Sequence, residues 1–430
     1  MKNSNREPRS HNPNLATLLS VVPGLGQFYN RRYAKGSAFF ILFAAFFGVF
    51  YNFLNIGFWG LFTLGTIPRV DDSRLLLAQG IMSLILTTFA ILFYVINLVD
   101  ARKDAKRIQQ GWAAPSVREG FRHAYDKSFP YLLTAPGLLL LIFTVVFPLM
   151  YMVGLAFTNY GLYNAPPRNL LEWIGFKNFI DLVTVPIWRD TFFSVLSWTL
   201  VWTFVATTLQ IALALFLALL VNDPRVKGKK FIRTILILPW AVPGFVTILI
   251  FSAMFNDNFG TINRDIIIPL FGGDGVPWMS DPFWAKTALI MIQVWLGFPF
   301  VFALFTGVLT SISSDWYEAA DMDGANRLQK FRFITLPHVL FATAPLLIMQ
   351  YSFNFNNFNI IYLFNQGGPA VRGQNAGGTD ILISWVYGLT FETKQYGMAA
   401  AISIIIGIMV AGFAFFQFRR SRSFKEEGSV

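Results

Sequence analysis

The sequence predicts an all-α integral membrane protein with eight transmembrane helices, and three observations carry that prediction. Hydrophobic residues make up 55% of the 430-residue chain, and mean hydropathy is +0.52. Charged residues make up only 13%, where a soluble domain carries about 25%. Apolar runs also recur at spanning length, since a bilayer core takes about 20 residues of helix.

Those runs fall at 37–55, 75–99, 131–157, 191–221, 232–255, 284–309, 339–363 and 397–418. Ahead of them, Leu15 to Tyr29 is apolar but short, and Pro23, Gly24 and Gly26 interrupt it. That pattern predicts an interfacial or re-entrant hairpin rather than a ninth span. The opening MKNSNREPRSHNPN is polar for too long to be a cleaved signal peptide.

Lys and Arg set the orientation. With the N-terminus inside, the inside segments hold 25 basic residues and the outside segments nine. Both termini and the loop at 318–337 are therefore expected in the cytoplasm. The formal net charge of +11 is read as this loop bias and not as a nucleic-acid surface. The outside loops are rich in Gly, Pro, Asn and Trp, and 381–391 (ILISWVYGLTF) is apolar enough to lie in the outer interface. The chain has no Cys, so disulfides and thiolate metal sites are excluded.

Within the drawn spans there is no Asp, Glu or His, and the basic residues are Arg233 and Lys286, each at a span boundary. Proton-coupled carriers need intramembrane ionisable groups, so coupling through this chain alone is disfavoured. Amides cluster instead. The sixth span carries Gln293 beside a Gly297-Phe298-Pro299 sequence that predicts a helix break. The seventh carries Gln350, Asn354, Asn356 and Asn357 among Tyr351, Phe353, Phe355 and Phe358. Amides bond sugar hydroxyls and ring faces stack on sugar C–H faces, so the cluster reads as a path for a sugar. The plainer reading is that these amides join helices to each other.

Residues 318–337, EAADMDGANRLQKFRFITLP, form a polar insert between two apolar segments. Asp315 and Glu318 have capping-box spacing for a first short helix, and Gly324 can end it. Asn326 to Ile334 allows a second short helix with Arg327, Lys330 and Arg332, and Pro337 stands at the start of the next span. The predicted result is a helix–turn–helix bracket that another protein can grip. Asp321 and Asp323 also form a DxD, the metal-holding pair of membrane glycosyltransferases. No GxxxxGK[ST] occurs, so this chain has no P-loop for a nucleotide. His11, His123 and His338 show no metal-ligand spacing.

The spacing Glu318-Ala319-Ala320, Asp323-Gly324-Ala325, Ile334-x-Leu336-Pro337 resembles the EAA loop of ABC importer permeases. The resemblance extends over roughly 190–418, where ILILPWAVPGFVTILIF, VWLGFPF and FNFNNF are similar to the MalF type of maltose-transporter permease. The eight-span count agrees, and the Gram-positive maltodextrin permeases are the nearest type. The resemblance implies the type I ABC importer permease fold. It divides the chain into a cytoplasmic or interfacial segment (1–35), two helices and a linker (36–129), a permease core (130–420) with the coupling loop at 313–337, and a tail (421–430).

It also implies a bacterial plasma-membrane protein that carries malto-oligosaccharides and performs no catalysis. The loop, with Glu318, Ala319, Ala320, Asp323, Gly324, Ala325, Ile334, Leu336 and Pro337, would seat on a separate ATPase subunit dimer. That dimer would bind ATP and Mg, and this chain would bind no cofactor or metal. A homologous second permease and an extracellular solute-binding protein complete the implied set. Sugar contacts carried over by motif are Gln293, Leu296, Gly297, Phe300, Gln350, Phe353, Asn354 and Asn357. The enteric maltose permease has a large domain after its third span, where this chain has only about 159–190. A binding protein held by a lipid anchor would need less of a clasp. Alternatives are a self-contained sugar facilitator or secondary carrier, a glycosyltransferase using Asp321 and Asp323, and a channel or scaffold.

Overall fold

Helices dominate the computed structural model, which describes residues 11–111 and 117–420; residues 1–10 and the expected tail at 421–430 lie outside the described residues. The β-structure among the described residues is two isolated bridges, Thr158 with Trp173 and Ala370 with Gly377. Seven helical stretches are long and apolar enough to cross a membrane, and a bent pair makes an eighth. The chain divides into two compact units, Met1–Gly175 and Phe176–Val430.

In the first unit, α1 (Pro13–Leu19) and α2 (Leu25–Tyr29) form a short hairpin, as the broken apolar run predicts. Two spanning helices follow, α3 (Tyr33–Thr63) and α4 (Ser73–Gln109). They pack at glycine distance: a Cβ on Gly57 would meet Ser83 Oγ at 2.1 Å, and one on Gly80 would meet Leu61 Cβ at 2.7 Å. Their connection is held by Ser73, whose buried hydroxyl donates to Leu64 O and accepts from the Leu171 N–H. The third span runs through α5 (Val117–Leu141), a π turn at Ile142–Val146, and α6 (Phe147–Ala156).

The second unit starts with α7 (Lys177–Thr184) and the long α8 (Pro186–Asn222). The fifth span at 232–255 is not one straight helix. It is α9 (Lys229–Ile237) with a 3₁₀ turn at Leu238–Ala241, then α10 (Gly244–Met254), bent by 86°. Pro239 and Pro243 each remove an N–H from the helix ladder. Leu238 before the first stays helical at φ −53°, ψ −38°, whereas the residue before the second is pushed out of the helical region. Val242 accordingly sits at φ −89°, ψ 132°. A π turn (Ile262–Ile267) leads into α11 (Ile268–Phe271), and the loop beyond it is organised by Asn263. Its Nδ2 donates to Asp257 O and Val276 O, and its Oδ1 accepts from Val276 N–H and Trp278 Nε1–H.

The sixth span differs from expectation in the other direction. Helix α12 (Pro282–Ser311) runs unbroken through Gly297-Phe298-Pro299. It packs closely on α8, with Phe298, Val301, Phe302 and Phe305 buried in a core shared with Ala214, Ala218 and Val221. The polar loop follows as α13 (Ser314–Met322) and α14 (Arg327–Lys330). A π turn at Phe331–Thr335 joins α14 to α15 (Leu336–Phe355), and α16 (Phe358–Asn365) comes next. The seventh span therefore begins back in the polar loop, and Pro337 lies inside a continuous helical path instead of at a helix start.

The three π turns share a cause. Each ends two residues before a proline: Pro148, Pro269 and Pro337. The widened turn takes the preceding carbonyl out of the way of the ring and absorbs the missing N–H. The chain closes with α17 (Leu382–Phe391) and α18 (Tyr396–Arg420). Helix α17 is the apolar stretch expected in the outer interface, yet Leu382, Trp385 and Leu389 are buried against α8 and α18 residues such as Phe192 and Ile402.

Candidate functional site: an amide cluster and a polar bracket

The amides of the sixth and seventh spans meet on α8. Gln293 on α12 donates from Nε2 to Asn354 Oδ1 at 2.9 Å and to Gln210 Oε1 at 3.2 Å. Asn354 donates from Nδ2 to Thr207 Oγ1 at 2.8 Å and to Gln210 Oε1 at 3.4 Å. Gln210 donates to Gln350 Oε1 at 3.3 Å, and Asn357 donates to Gln293 Oε1 at 3.0 Å. Trp202 closes the set by donating its indole N–H to the Asn354 carbonyl at 2.9 Å. Thr207, Gln210 and Asn354 have no exposed surface, and Gln293 has almost none.

Helices α8, α12 and α15 thus supply four amides and the break at Asn357 a fifth, and their mutual bonds offset the cost of burying them. The cluster sits at a real break. Helix α15 ends at Phe355, Asn356 leaves helical geometry at φ −111°, ψ 22°, and α16 restarts at Phe358.

The candidate sugar contacts divide on this geometry. Gln293 and Asn354 are buried and turned to partner helices, as in the plainer reading that amides join helices. Gly297 has a packing role, because a Cβ there would meet Gln210 Oε1 at 2.1 Å and Gln210 Cδ at 2.7 Å. Phe353 is 62% exposed, while Leu296, Phe300, Gln350 and Asn357 are half-buried. Phe300 meets Trp240 edge to face at 5.9 Å between centroids. Positions 293, 296, 297 and 300 share one face of α12, since three- and four-residue steps line up on a helix. Sequence reasoning missed Gln210 and Thr207. Gln210, the one amide in the span at 191–221, with Thr207 and Thr208 beside it in TTLQ, was the available signal.

The polar bracket forms, with its caps shifted. Ser313, and not Asp315, is the N-cap of α13, accepting from the Asp315 N–H. The capping box lies on α14 instead, where Asn326 and Gln329 bond each other's backbone. Helix α13 ends in a Schellman motif. Gly324 takes φ +75°, its N–H donates to Asp321 O, and the Ala325 N–H donates to Ala320 O at 2.9 Å.

Tyr317 and Thr335 share a hydroxyl bond at 2.8 Å, which ties α13 to the root of α15. An open groove lies between them, lined among others by Trp316, Ala319, Ala320, Ile334 and Pro337. Ala319 and Ala320 keep the groove open by being small. Asp323 also lines it and is exposed, as are Glu318 and Leu328 of the bracket, while Leu336 is half-buried. Of the DxD pair, Asp321 Oδ1 accepts from Lys330 Nζ at 2.6 Å.

A third feature lies between α16 and α17. Asp380 accepts from the Gly377 N–H at 2.8 Å and from Ser384 Oγ at 2.7 Å. Burial raises its pKa to about 6, with Glu392 adding to the rise. An acid raised from 3.8 to about 6 stabilises its fold most in the protonated state. That contribution is full below about 3.8 and is lost as pH rises through about 6. The loop at 366–381 should therefore resist limited proteolysis better at pH 5 than at pH 8. Asp380→Asn mimics the neutral acid and should make resistance independent of pH over that range. An unchanged pH response in the variant would rule out Asp380 as its source.

A helical bundle with an amide cluster at a broken span and an exposed two-helix bracket is the architecture of a membrane transport subunit. Residues 210–423 match the family described as binding-protein-dependent transport system inner membrane component. The chain is 54% identical over 96% of its length to the galactooligosaccharides transport system permease protein GanP of Bacillus subtilis, covering 99% of that protein. It is 46% identical to the maltodextrin transport system permease protein MdxF of the same organism, over 96% of each chain. Among solved structures, a bacterial ABC transporter involved in import of the acidic polysaccharide alginate superposes at a TM-score of 0.57. That match has 22% identity and covers 71% of this chain and 98% of the other, which supports the fold alone.

This chain belongs to the binding-protein-dependent ABC importer permeases, and within them to the sugar permeases. It is a multi-pass protein of the bacterial plasma membrane, and its relatives are transport permeases rather than enzymes.

Proposed function

We propose that this chain is one of two permease subunits of an importer for neutral oligosaccharides, with galacto-oligosaccharides as the first substrate class. Full-length identity of 54% to a galactooligosaccharide permease carries this reading. The site agrees in chemistry. The exposed or half-exposed candidates, Leu296, Phe300, Gln350, Phe353 and Asn357, offer amides and rings and no charge. Such a lining suits neutral hydroxyl-rich chains and gives no cation to hold an acidic sugar.

Malto-oligosaccharides are the second reading, favoured by the 46% identity to a maltodextrin permease and by the maltose-type motifs of the sixth and seventh spans. Both termini and the bracket face the cytoplasm. The bracket, with Glu318, Ala319, Ala320, Asp323, Gly324, Ala325, Ile334, Leu336 and Pro337, seats on an ATPase dimer that holds ATP and Mg. An extracellular binding protein, held by a lipid anchor, delivers the sugar. The open groove beside α13 supports this assignment, because it is exposed and rimmed by apolar side chains such as Trp316 and Phe333.

Uptake of labelled galactotriose and maltotriose in a host deleted for this chain and complemented with it separates the two readings. Galactotriose uptake restored by the wild type, and suppressed by excess unlabelled galactotriose but not maltotriose, is the expected result. The reverse competition supports the second reading, and no restored uptake of either sugar overturns both. Uptake by the single chain in liposomes, without any ATPase, would instead establish a facilitator.

A further inference from the structure

The α1–α2 hairpin is fixed to one end of α4 by polar bonds. Tyr94 donates its hydroxyl to Val21 O at the turn, and Asn97 donates to Ser20 O. Asn97 Oδ1 accepts from the Gly24 N–H. At the open end, Asn30 donates to Ala101 O, and Arg32 and Lys35 reach Asp104. Tyr94 to Ala101 is about two helical turns, roughly 10 Å. The hairpin therefore lies along α4 with its turn pointing toward the helix centre.

Close packing makes this placement rigid. A Cβ on Gly26 would meet Ala16 O at 2.3 Å, and one on Gly24, at φ +93°, would meet Gly36 O at 2.3 Å. The polar side of the hairpin is consumed by α4. The other side is apolar and exposed: Leu15, Leu18, Val21, Val22 and Leu25. Its tip is level with exposed Ile91, Leu92, Val95 and Ile96 of α4, which belong to the spanning run.

About one turn or more beyond, the same end of α4 changes character. Arg102, Lys103, Lys106 and Arg107 are exposed, with Arg31 on the connection to α3. The acids at this level among the described residues, Asp100 and Asp104, are already turned to Lys35 and Arg32. An apolar wedge at acyl depth with cations one step outward is the pattern of an interfacial element on anionic lipid.

We propose that the hairpin and the basic end of α4 form a binding site for anionic phospholipid, with the apolar tip among the acyl chains and the cations on the headgroups. The site anchors the first unit and is separate from the amide cluster. It rests on the membrane location of the chain and not on the sugar it carries.

The test uses the full chain. Because the protein has no Cys, Val21→Cys places a single bimane label at the tip. In vesicles of phosphatidylglycerol and phosphatidylcholine, acyl-chain-brominated lipid should quench the label. A label that stays unquenched, whether covered by protein or in water, overturns the wedge. Native mass spectrometry then compares retention of the two lipids. Wild type should retain phosphatidylglycerol about fivefold more, and a variant with Arg31, Arg102, Lys103, Lys106 and Arg107 changed to Gln should retain both equally. Retention of the fivefold preference by that variant, with quenching of the tip unchanged, overturns the headgroup assignment.

Discussion

Asn354→Leu should destabilise the protein by about 2 kcal/mol and abolish most sugar uptake. The substitution keeps roughly the same volume but removes two donors and an acceptor. Thr207 Oγ1 loses its amide partner, and Gln293 Nε2 and Gln210 Oε1 each lose one of two bonds. A buried polar group left without a partner costs about 1–3 kcal/mol in water-soluble proteins. Bonds between spanning helices average nearer 0.6 kcal/mol, because helices apart in lipid also find partners. The estimate lies between these limits since several bonds go at once and Gln293 and Gln210 keep part of their pairing.

Thermal unfolding in detergent checks the stability, and a double-mutant cycle with Gln210→Leu checks the cause. The two losses should be strongly non-additive if both act through one network. A fully additive cycle would count against the network. Phe353→Ala offers the contrast. Its ring is exposed, so melting should stay near wild type while uptake falls, and normal uptake there would remove Phe353 from the sugar path.

Gly324→Val should abolish uptake while leaving the folded bundle nearly as stable as before. Gly324 holds φ +75°, a conformation that costs a β-branched residue at least about 1–2 kcal/mol. Nothing stands within 4 Å of the site of a new Cβ, so the strain has no core contact to break. It must act on the Schellman turn that sets where α13 ends and how it faces α14. Since Tyr317 and Thr335 link α13 to the root of α15, a displaced α13 also loses its grip on the seventh span. ATP hydrolysis by the assembled transporter should no longer respond to the loaded binding protein. Gly324→Ala, smaller and less strained, should give a partial loss. Unchanged coupling in the valine variant would refute the role given to this turn.

Much of the architecture was legible in local sequence. The spans, the short hairpin at 15–29, the polar bracket and its glycine stop all follow from hydropathy, charge and turn chemistry summed over neighbouring residues. Where prolines would bend the chain was not. Pro299 is carried within an unbroken helix packed against α8, Pro148, Pro269 and Pro337 are absorbed by π turns, and Pro239 with Pro243 turns a span by 86°. The proline supplies the same missing N–H each time, and the packing around it decides the outcome.

The site shows the same division. Its amides and aromatics were visible at 293 and 350–357, because such residues are rare in an apolar span. Their roles depended on Gln210 and Thr207, which come from a helix more than 80 residues away in sequence. The sequence by itself determined that this is a multi-pass helical protein with an amide cluster and a polar two-helix bracket. Only the tertiary structure decided which amides are spent on holding helices together and which side chains stay exposed beside them. Hydropathy is a local sum, whereas the partner of a buried hydrogen bond is chosen by the fold.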